Sequence, residues 1–163
     1  MASFAAAGYN VLRVWGGGHP MSTAFYESAL AHGLLLWHEF PFACSMVPTD
    51  ARTKTDAAAE TYNIARRISK YPILVYGGNN EISQIHHPVG KDAEAYSDIF
   101  FGAVRASLMM VDASRSYLSS SPGSSEETAD DPIPSPPQQP SLGDMHECAY
   151  KTRSHPILYP PCL

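Results

Sequence analysis

The chain has 163 residues, 44% of them hydrophobic, and a formal net charge of −5 at pH 7. This length and composition predict one globular domain. The acidic balance and the lack of a basic stripe argue against nucleic acid as a partner. No apolar run approaches the roughly 20 residues that span a bilayer, so no membrane association is predicted. Residues 1–8 lack the basic and apolar regions of a signal peptide and instead resemble a helix end at Gly8.

The first half of the chain alternates predicted strands and helices. A strand over 10–15 is followed by Gly16–Gly18, and Ser22 or Thr23 can cap a helix that runs to about His32. Gly33 stands where a helix commonly ends, and a second strand is predicted over 34–40.

The same alternation continues to about residue 119. A helix is predicted after Pro48–Asp50 and runs to about Lys70, and Pro72 prevents its continuation. A strand over 73–76, a helix over about 92–111 and a strand over 115–119 follow.

The remaining residues are less regular. Residues 119–142 are rich in Ser, Pro, Asp and Glu, which is typical of loops or disorder. Residues 143–147 are expected to form a short strand end. Residues 148–163 show no period and contain three prolines, so an irregular tail is expected. Three widely spaced cysteines predict free thiols rather than a disulfide framework.

This order of elements predicts an α/β fold with a parallel sheet over about residues 1–118. Such units make up about half of a (β/α)8 TIM barrel, which needs ~250 residues. The alternative is an open, doubly wound sheet, although no glycine-rich nucleotide-binding loop supports it.

Chemistry is predicted at the end of the third strand, where Ile73–Tyr76 is followed by Gly-Gly-Asn-Asn-Glu. Parallel sheets carry their functional groups at the carboxyl ends of the strands. Glu81 is therefore a candidate general acid/base, beside amides that can hydrogen-bond a polyhydroxylated ligand. The alternative is a polar loop in which a glutamate merely starts a helix.

Polar and aromatic residues also end the other predicted strands. If the strands are neighbours, these side chains converge on one rim and form a sugar site. The residues are Arg13, Trp15, Trp37, His38, Glu39, Asn79, Asn80, Glu81, Asp144 and His146. Each also has a structural interpretation: the tryptophans as core residues, Arg13 and Glu39 as an ion pair, and the histidines as ordinary hydrogen-bonding groups.

Six motifs in order resemble a known family. They are Leu12–Gly18, Leu36–Met46, Pro48–Asp50, Gly78–Glu81, Ser119–Pro122 and Gly143–His146. Together they resemble the catalytic barrel of β-mannosidases, which belong to glycoside hydrolase family 2.

The resemblance implies retaining hydrolysis of terminal, non-reducing β-D-mannose from a β-mannoside or oligosaccharide. Glu81 aligns with the general acid/base and Asn80 with the asparagine that contacts the 2-hydroxyl of the sugar. Arg13, Trp15 and Glu39 align with residues that line the mannose subsite, and His146 aligns with a histidine at the sixth strand. No metal or organic cofactor is implied, and family members occur in lysosomal and cytoplasmic settings.

Two departures from the family are visible. Glu39 follows His38 where the family usually has Gln-Asp, and no match follows His146. The family's nucleophile is a glutamate on the seventh strand, so the chain resembles a segment covering strands two to six. We therefore expect a partial hydrolase with little or no activity of its own. The alternatives are a non-catalytic mannoside-binding remnant and a non-functional fragment from an incomplete gene model.

Overall fold

The computed structural model describes residues 1–86, 88–124, 127–130, 141 and 143–146, and the backbone of 149–151 and 156–158. Within these residues, none of the helices combines the length and the apolar character needed to cross a bilayer.

Four parallel strands form the main sheet: β1 (Val11–Val14), β2 (Leu35–Glu39), β3 (Ile73–Gly77) and β4 (Ser116–Leu118). They lie side by side in chain order. A doubly wound sheet reverses its strand order near the middle, and these four strands show no such reversal. The register places Arg13 beside Trp37 and Glu39 beside Gly77. The carboxyl ends of the first three strands therefore meet at one edge.

The helices are α1 (Ala2–Ala6), α2 (Thr23–Ala31), α3 (Ala51–Ile68), α4 (Ile82–His86), α5 (Lys91–Ser97) and α6 (Arg105–Met109), with a π-helical segment (Asp98–Val104) joining the last two. The predicted helices are present, but the third is divided into α5, the π-helical segment and α6, and α4 is additional. Asp50 begins α3 as its sequence position predicts, because its carboxylate accepts hydrogen bonds from the backbone N–H groups of Arg52 and Thr53. Gly33 adopts a φ of +67°, which a glycine reaches without strain.

The core lies between one face of the sheet and the helices. It contains Val14, Leu36 and Tyr76 from the strands, together with apolar residues of α2, α3 and the π-helical segment. The opposite face is open: Val11 and Leu35, which are register partners, are 38% and 39% exposed. Because side chains alternate along a strand, Arg13, Trp37 and Glu39 project from this second face, away from the helices.

Two expectations about the C-terminal part are wrong. Residues 143–146 form a bend and irregular backbone instead of the expected strand end, with Asp144 and His146 hydrogen-bonded into the site, and residue 147 lies outside the described residues. The tail contains an antiparallel pair, β5 (Ala149–Lys151) and β6 (Pro156–Leu158). A proline is compatible with a strand at its first position, which is where Pro156 lies.

The Ser/Pro-rich stretch is also more ordered at its start than its composition suggests. Ser119, Ser120 and Ser121 are at most 2% exposed, and Ser121 continues the ladder beyond β4 by pairing with Asn80. Most of the remaining stretch, at 125–126, 131–140 and 142, lies outside the described residues.

Candidate functional site

Arg13, near the end of β1, joins three other elements. Its Nε donates to Oε1 of Glu39 at 2.8 Å, and its Nη2 donates to Oδ1 of Asn80 at 2.7 Å. Its Nη1 lies 3.0 Å from Nε2 of His146. All the nitrogens of the guanidinium therefore have a partner in the predicted rim. The predicted ion pair with Glu39 exists, but it is one part of a larger cluster.

Glu39 is buried at the end of β2, and both of its oxygens are occupied. Oε1 accepts from Arg13, and Oε2 accepts from the backbone N–H of Gly16 at 2.8 Å. Burial raises the pKa of Glu39, while the Arg13 charge and the Gly16 hydrogen bond oppose that rise. Glu39 therefore fixes Arg13 and the start of the glycine run.

Glu81 lies at the junction between the third strand and α4, where its backbone is unusual. Its φ is +61°, a left-handed conformation that is costly for a non-glycine residue and that clusters at functional sites. The carboxylate is almost completely buried, and its Oε1 lies 2.7 Å from Nδ1 of His146. The backbone N–H of Glu81 donates to the carbonyl of Ser121 at 3.0 Å. The adjacent loop therefore holds the backbone in this conformation.

His146 connects Glu81 to the serine loop. Its Nε2 lies 3.1 Å from Oγ of Ser121, and that hydroxyl donates to Oδ2 of Asp144 at 2.6 Å. Asp144 also accepts from the backbone N–H of Gly123 at 3.0 Å. Asp144 thus orients the serine loop, and His146 lies between Asp144 and Glu81.

Cys44 belongs to the site but was not singled out as a candidate from the sequence. Its Sγ lies 3.5 Å from Nδ2 of Asn80 and 3.9 Å from Oε2 of Glu81. Like Glu81, it has a left-handed backbone, with a φ of +60°. Burial is the largest cause of the raised pKa of its thiol. The only sequence signal for Cys44 was its position inside the second family-like motif.

A pocket of about 400 Å³ opens beside this cluster. It is lined by Trp15, Gly16, Gly17, Gly18, Pro41, Ala43 and Cys44. Trp15 is 47% exposed, so it is not a core aromatic. Its ring lies directly over Gly17, where an added Cβ would overlap the ring carbons.

Two residues of the predicted rim, His38 and Asn79, are buried away from it, and a third, Trp37, makes no hydrogen bond to the cluster among the described residues. His38 points into the core, where Nε2 meets the Tyr26 hydroxyl at 2.8 Å. Burial lowers the pKa of His38 to about 4, so it is a neutral core residue. Asn79 is fully buried and donates from its amide to the Ser119 carbonyl at 2.7 Å. Trp37 is half-buried, and no hydrogen bond joins it to the cluster within the described residues.

The chain is similar in sequence and in structure to β-mannosidases. The chain is 29% identical over 157 residues to β-mannosidase of Bos taurus and 30% identical over 160 residues to β-mannosidase of Capra hircus, in each case over 90% of this chain and 18% of the relative. The β-D-mannosidase of Dictyoglomus thermophilum superimposes with a TM-score of 0.76 at 27% identity, over 90% of this chain and 18% of that one. The chain is a relative of the β-mannosidases. It spans about a fifth of their length.

The similarity to other glycosidases is weaker. β-Glucuronidase 3 of Bacteroides uniformis superimposes with a TM-score of 0.60 at 19% identity, which is a likeness of fold alone. No family model matches the chain. The predicted resemblance to β-mannosidases is confirmed by sequence and by structure.

Proposed function

We propose that the chain forms part of a β-mannosidase-type glycoside hydrolase site, in which Glu81 is the general acid/base. The observation that carries this proposal is the buried Glu81 carboxylate, held in a left-handed turn at the end of β3 and in contact with His146. Asn80 and Arg13 lie beside it and offer hydrogen-bonding groups to sugar hydroxyls. Trp15 supplies an exposed aromatic face for a sugar ring.

In this mechanism Glu81 would protonate the leaving oxygen of a terminal β-mannoside and then activate water. Asn80 would contact the 2-hydroxyl, and Glu39 would act by keeping Arg13 oriented toward the sugar. His146 would orient the Glu81 carboxylate. This chemistry requires no cofactor, since an acid/base and a nucleophilic carboxylate suffice for a retaining glycosidase.

A retaining mechanism also requires a second carboxylate. Retaining glycosidases need a nucleophile about 5–5.5 Å from the acid/base. Among the described residues, Glu39 and Asp144 are the other carboxylates of the cluster, and both are engaged by hydrogen bonds to other groups. Neither is free to attack an anomeric carbon. We therefore propose that these 163 residues bind mannosides and hydrolyse them little or not at all.

We also propose that the parallel sheet is a section of a (β/α)8 barrel of glycoside hydrolase family 2. The strands lie in chain order with their helices packed against one face, as in such barrels. The apolar side chains of Val11 and Leu35 on the other face are left exposed, and a closed barrel would bury them.

Binding specificity tests the sugar site. Methyl β-D-mannoside and methyl β-D-glucoside differ only at the 2-hydroxyl, so a contact from Asn80 predicts tighter binding of the mannoside. Asn80→Ala should reduce this preference by about tenfold, the worth of one hydrogen bond. Asn63→Ala, an exposed position on α3, is the matched control. Titration calorimetry or ligand-observed NMR measures the affinities of both glycosides for the three proteins, and a preference that survives Asn80→Ala would contradict the assignment.

Hydrolysis is tested separately with an aryl β-D-mannoside. The expected result is little or no release of the aryl alcohol by the 163-residue chain. Turnover that disappears in Glu81→Gln and persists in Glu60→Gln, an exposed glutamate of α3, would establish Glu81 as the acid/base and overturn the expected inactivity. Mannoside binding without turnover supports the binding remnant, and aggregation without cooperative unfolding supports the non-functional fragment.

A further inference from the structure

We propose that Glu127 is a positioning residue for the sugar site, and that it holds the turn at Glu81 in place through the serine loop of residues 119–124. This proposal rests on the proposed function, because it takes the Glu81 carboxylate as the group that must be held. Glu127 itself lies in the Ser/Pro-rich stretch, and its hydrogen bonds go to the serine loop. Its effect on Glu81 therefore passes through the residues between them.

Glu127 holds the two ends of the serine loop together. Its Oε2 accepts from the Ser119 hydroxyl at the start of the loop, and its Oε1 accepts from the backbone N–H of Ser124 at 2.8 Å. The residues that follow Glu127 are attached to α5, because the Ser97 hydroxyl donates to the carbonyl of Ala129 at 2.6 Å. A carboxylate that accepts at both oxygens therefore closes the loop from a fixed position.

The serine loop contacts the backbone of the turn directly. The carbonyl of Ser121 accepts from the N–H of Glu81 at 3.0 Å, and the N–H of Ser121 donates to the carbonyl of Asn79 at 2.9 Å. The left-handed backbone of Glu81 costs free energy and persists only where neighbouring groups fix it. A displaced serine loop would therefore displace the Glu81 carboxylate.

The Asn79 side chain is a second link between the loop and the turn. It is fully buried and makes four hydrogen bonds, the full capacity of an amide. Its nitrogen donates to the Tyr96 hydroxyl at 3.1 Å and to the Ser119 carbonyl at 2.7 Å. Its oxygen accepts from a serine hydroxyl of the loop at 2.9 Å and from the backbone N–H of Ile82 at 3.0 Å. The bond to Ile82 spans Glu81, so Asn79 holds both sides of the turn.

With Glu127 ionised, the hydrogen bonds from Asn79 to Glu127 run in one direction. Asn79 donates to the Tyr96 hydroxyl, and the single hydroxyl hydrogen of Ser119 goes to Glu127. Tyr96 therefore donates to Ser119 at 2.9 Å. A protonated Glu127 would instead donate from Oε2 to Ser119, because its Oε1 already accepts a backbone N–H. The Ser119 hydrogen would then turn to Tyr96, which loses Ser119 as its acceptor.

The pKa of Glu127 lies where this reversal can be measured. Burial raises the pKa of Glu127 to about 7, and the negative charge of Asp144 adds to that rise. The phenol groups of Tyr96 and Tyr117 also face Glu127, but burial raises the pKa of both, so they stay neutral up to pH 8.5. The ionised carboxylate, which accepts at both oxygens, therefore predominates only above about pH 7.

The affinity for methyl β-D-mannoside at pH 5.5 and pH 8.5 tests this role, since the turn carries Asn80 as well as Glu81. The amide introduced by Glu127→Gln reproduces the donor and acceptor pattern of the protonated carboxyl group. We therefore expect the wild type and Glu127→Gln to bind equally at pH 5.5. At pH 8.5 the wild type should bind about tenfold more tightly, the worth of one hydrogen bond to a charged group.

Asp112→Asn is the matched control. Asp112 is a buried carboxylate between α6 and β4 that accepts from the Tyr76 hydroxyl at 3.0 Å. Its substitution should give the same ratio of affinities to the wild type at both pH values. Titration calorimetry is carried out at a temperature where thermal unfolding curves show each variant to be folded, so a loss of stability alone does not change the affinities.

The outcomes separate the positioning role from the proposed function. A ratio of wild-type to Glu127→Gln affinity that is the same at both pH values is a merely structural effect and overturns the role of Glu127, while mannoside binding stands. A wild-type chain that binds no mannoside at either pH overturns the proposed function and the positioning role with it.

Ser119→Ala keeps the test decisive if Glu127→Gln does not fold. It removes the hydroxyl that joins Tyr96 to Glu127 and leaves the Ser119 carbonyl in place. The ratio of wild-type to Ser119→Ala affinity should grow between pH 5.5 and pH 8.5, and a constant ratio would contradict the role of Glu127. Ser107→Ala, at a buried serine of α6, is the control for this variant.

Discussion

Arg13 is the residue on which the site depends most directly. A single guanidinium contacts the carboxylate of Glu39, the amide of Asn80 and the imidazole of His146. These partners come from the second strand, the loop after the third strand and a segment more than 100 residues further along the chain. Removing Arg13 would therefore leave the buried Glu39 carboxylate without its charge partner, which is more costly than losing a surface ion pair.

The contact with Arg13 favours one tautomer of His146. A guanidinium can only donate, so the 3.0 Å contact favours an accepting, unprotonated Nε2. In this tautomer no hydrogen lies between Nε2 and Oγ of Ser121 at 3.1 Å, because that hydroxyl donates to Asp144. Nδ1 then carries the proton and donates to Glu81. We expect long-range ¹H–¹⁵N correlation spectra at pH 7.5 to show the Nδ1-protonated form of His146. A spectrum dominated by the Nε2-protonated form would contradict the geometry. His19, which is exposed, is the reference within the same chain.

At the scale of elements, the end of β3 is positioned by close backbone approach. Gly78 packs where an added Cβ would overlap the carbonyl oxygen of Ser119 and the hydroxyl of Tyr117. The strand can therefore approach β4 only with a glycine at this position. The following residues, Asn80 and Glu81, are placed in the site by that approach.

This packing predicts the effect of substituting Gly78. Gly78→Ala should lower the free energy of unfolding by about 1–3 kcal/mol, because a backbone carbonyl cannot rotate away as a side chain can. Gly102→Ala is the matched control, since the nearest atom to its added Cβ is 3.8 Å away and the residue lies within the helical region. It should leave stability unchanged or raise it by up to about 1 kcal/mol. Urea denaturation of both variants measures the difference, and equal stabilities would refute the close-approach argument.

The alternation of side chains within strands explains which residues of the predicted rim face the cluster. In β2, Leu36 and His38 share one face and pack toward the helices, while Trp37 and Glu39 share the other. A period of two could have assigned His38 to the core in advance. The prediction placed His38 at the rim because it has a polar side chain and precedes Glu39 in the chain.

At the scale of the whole molecule, Glu127 links the start of the serine-rich segment to the domain. Its Oε1 accepts from the backbone N–H of Ser124 at 2.8 Å, and its Oε2 accepts from the Ser119 hydroxyl. Burial raises the pKa of Glu127 to about 7, and the negative charge of Asp144 adds to that rise. The segment thus carries a carboxyl group that favours its protonated form in the folded state.

This raised pKa predicts a pH dependence of stability. A carboxyl whose folded pKa exceeds its unfolded value of 4.5 contributes stability that is fully present below pH 4.5 and lost as the pH rises through about 7. The free energy of unfolding, wild type minus Glu127→Gln, should therefore fall between pH 5 and pH 8. The lowered pKa of His38 acts in the opposite direction, but it is common to both proteins and cancels. A difference independent of pH would contradict the prediction, and Glu60→Gln serves as the surface control.

The sequence by itself determined the order of the elements, the parallel sheet and the family relationship. Hydrophobic periodicity, the Asp50 cap and the Gly33 helix end are local signals, and local signals can be recognised without a structure. It also pointed to Arg13, Glu39, Asn80, Glu81 and His146 as site residues, because parallel strands bring their ends together. Only the tertiary structure showed which atoms meet. Strand register and the close approach of distant segments decide these contacts, and no pattern within one segment encodes such distances. They include the contacts of Arg13, the thiol of Cys44 beside Glu81, the ring of Trp15 over Gly17 and the core position of His38.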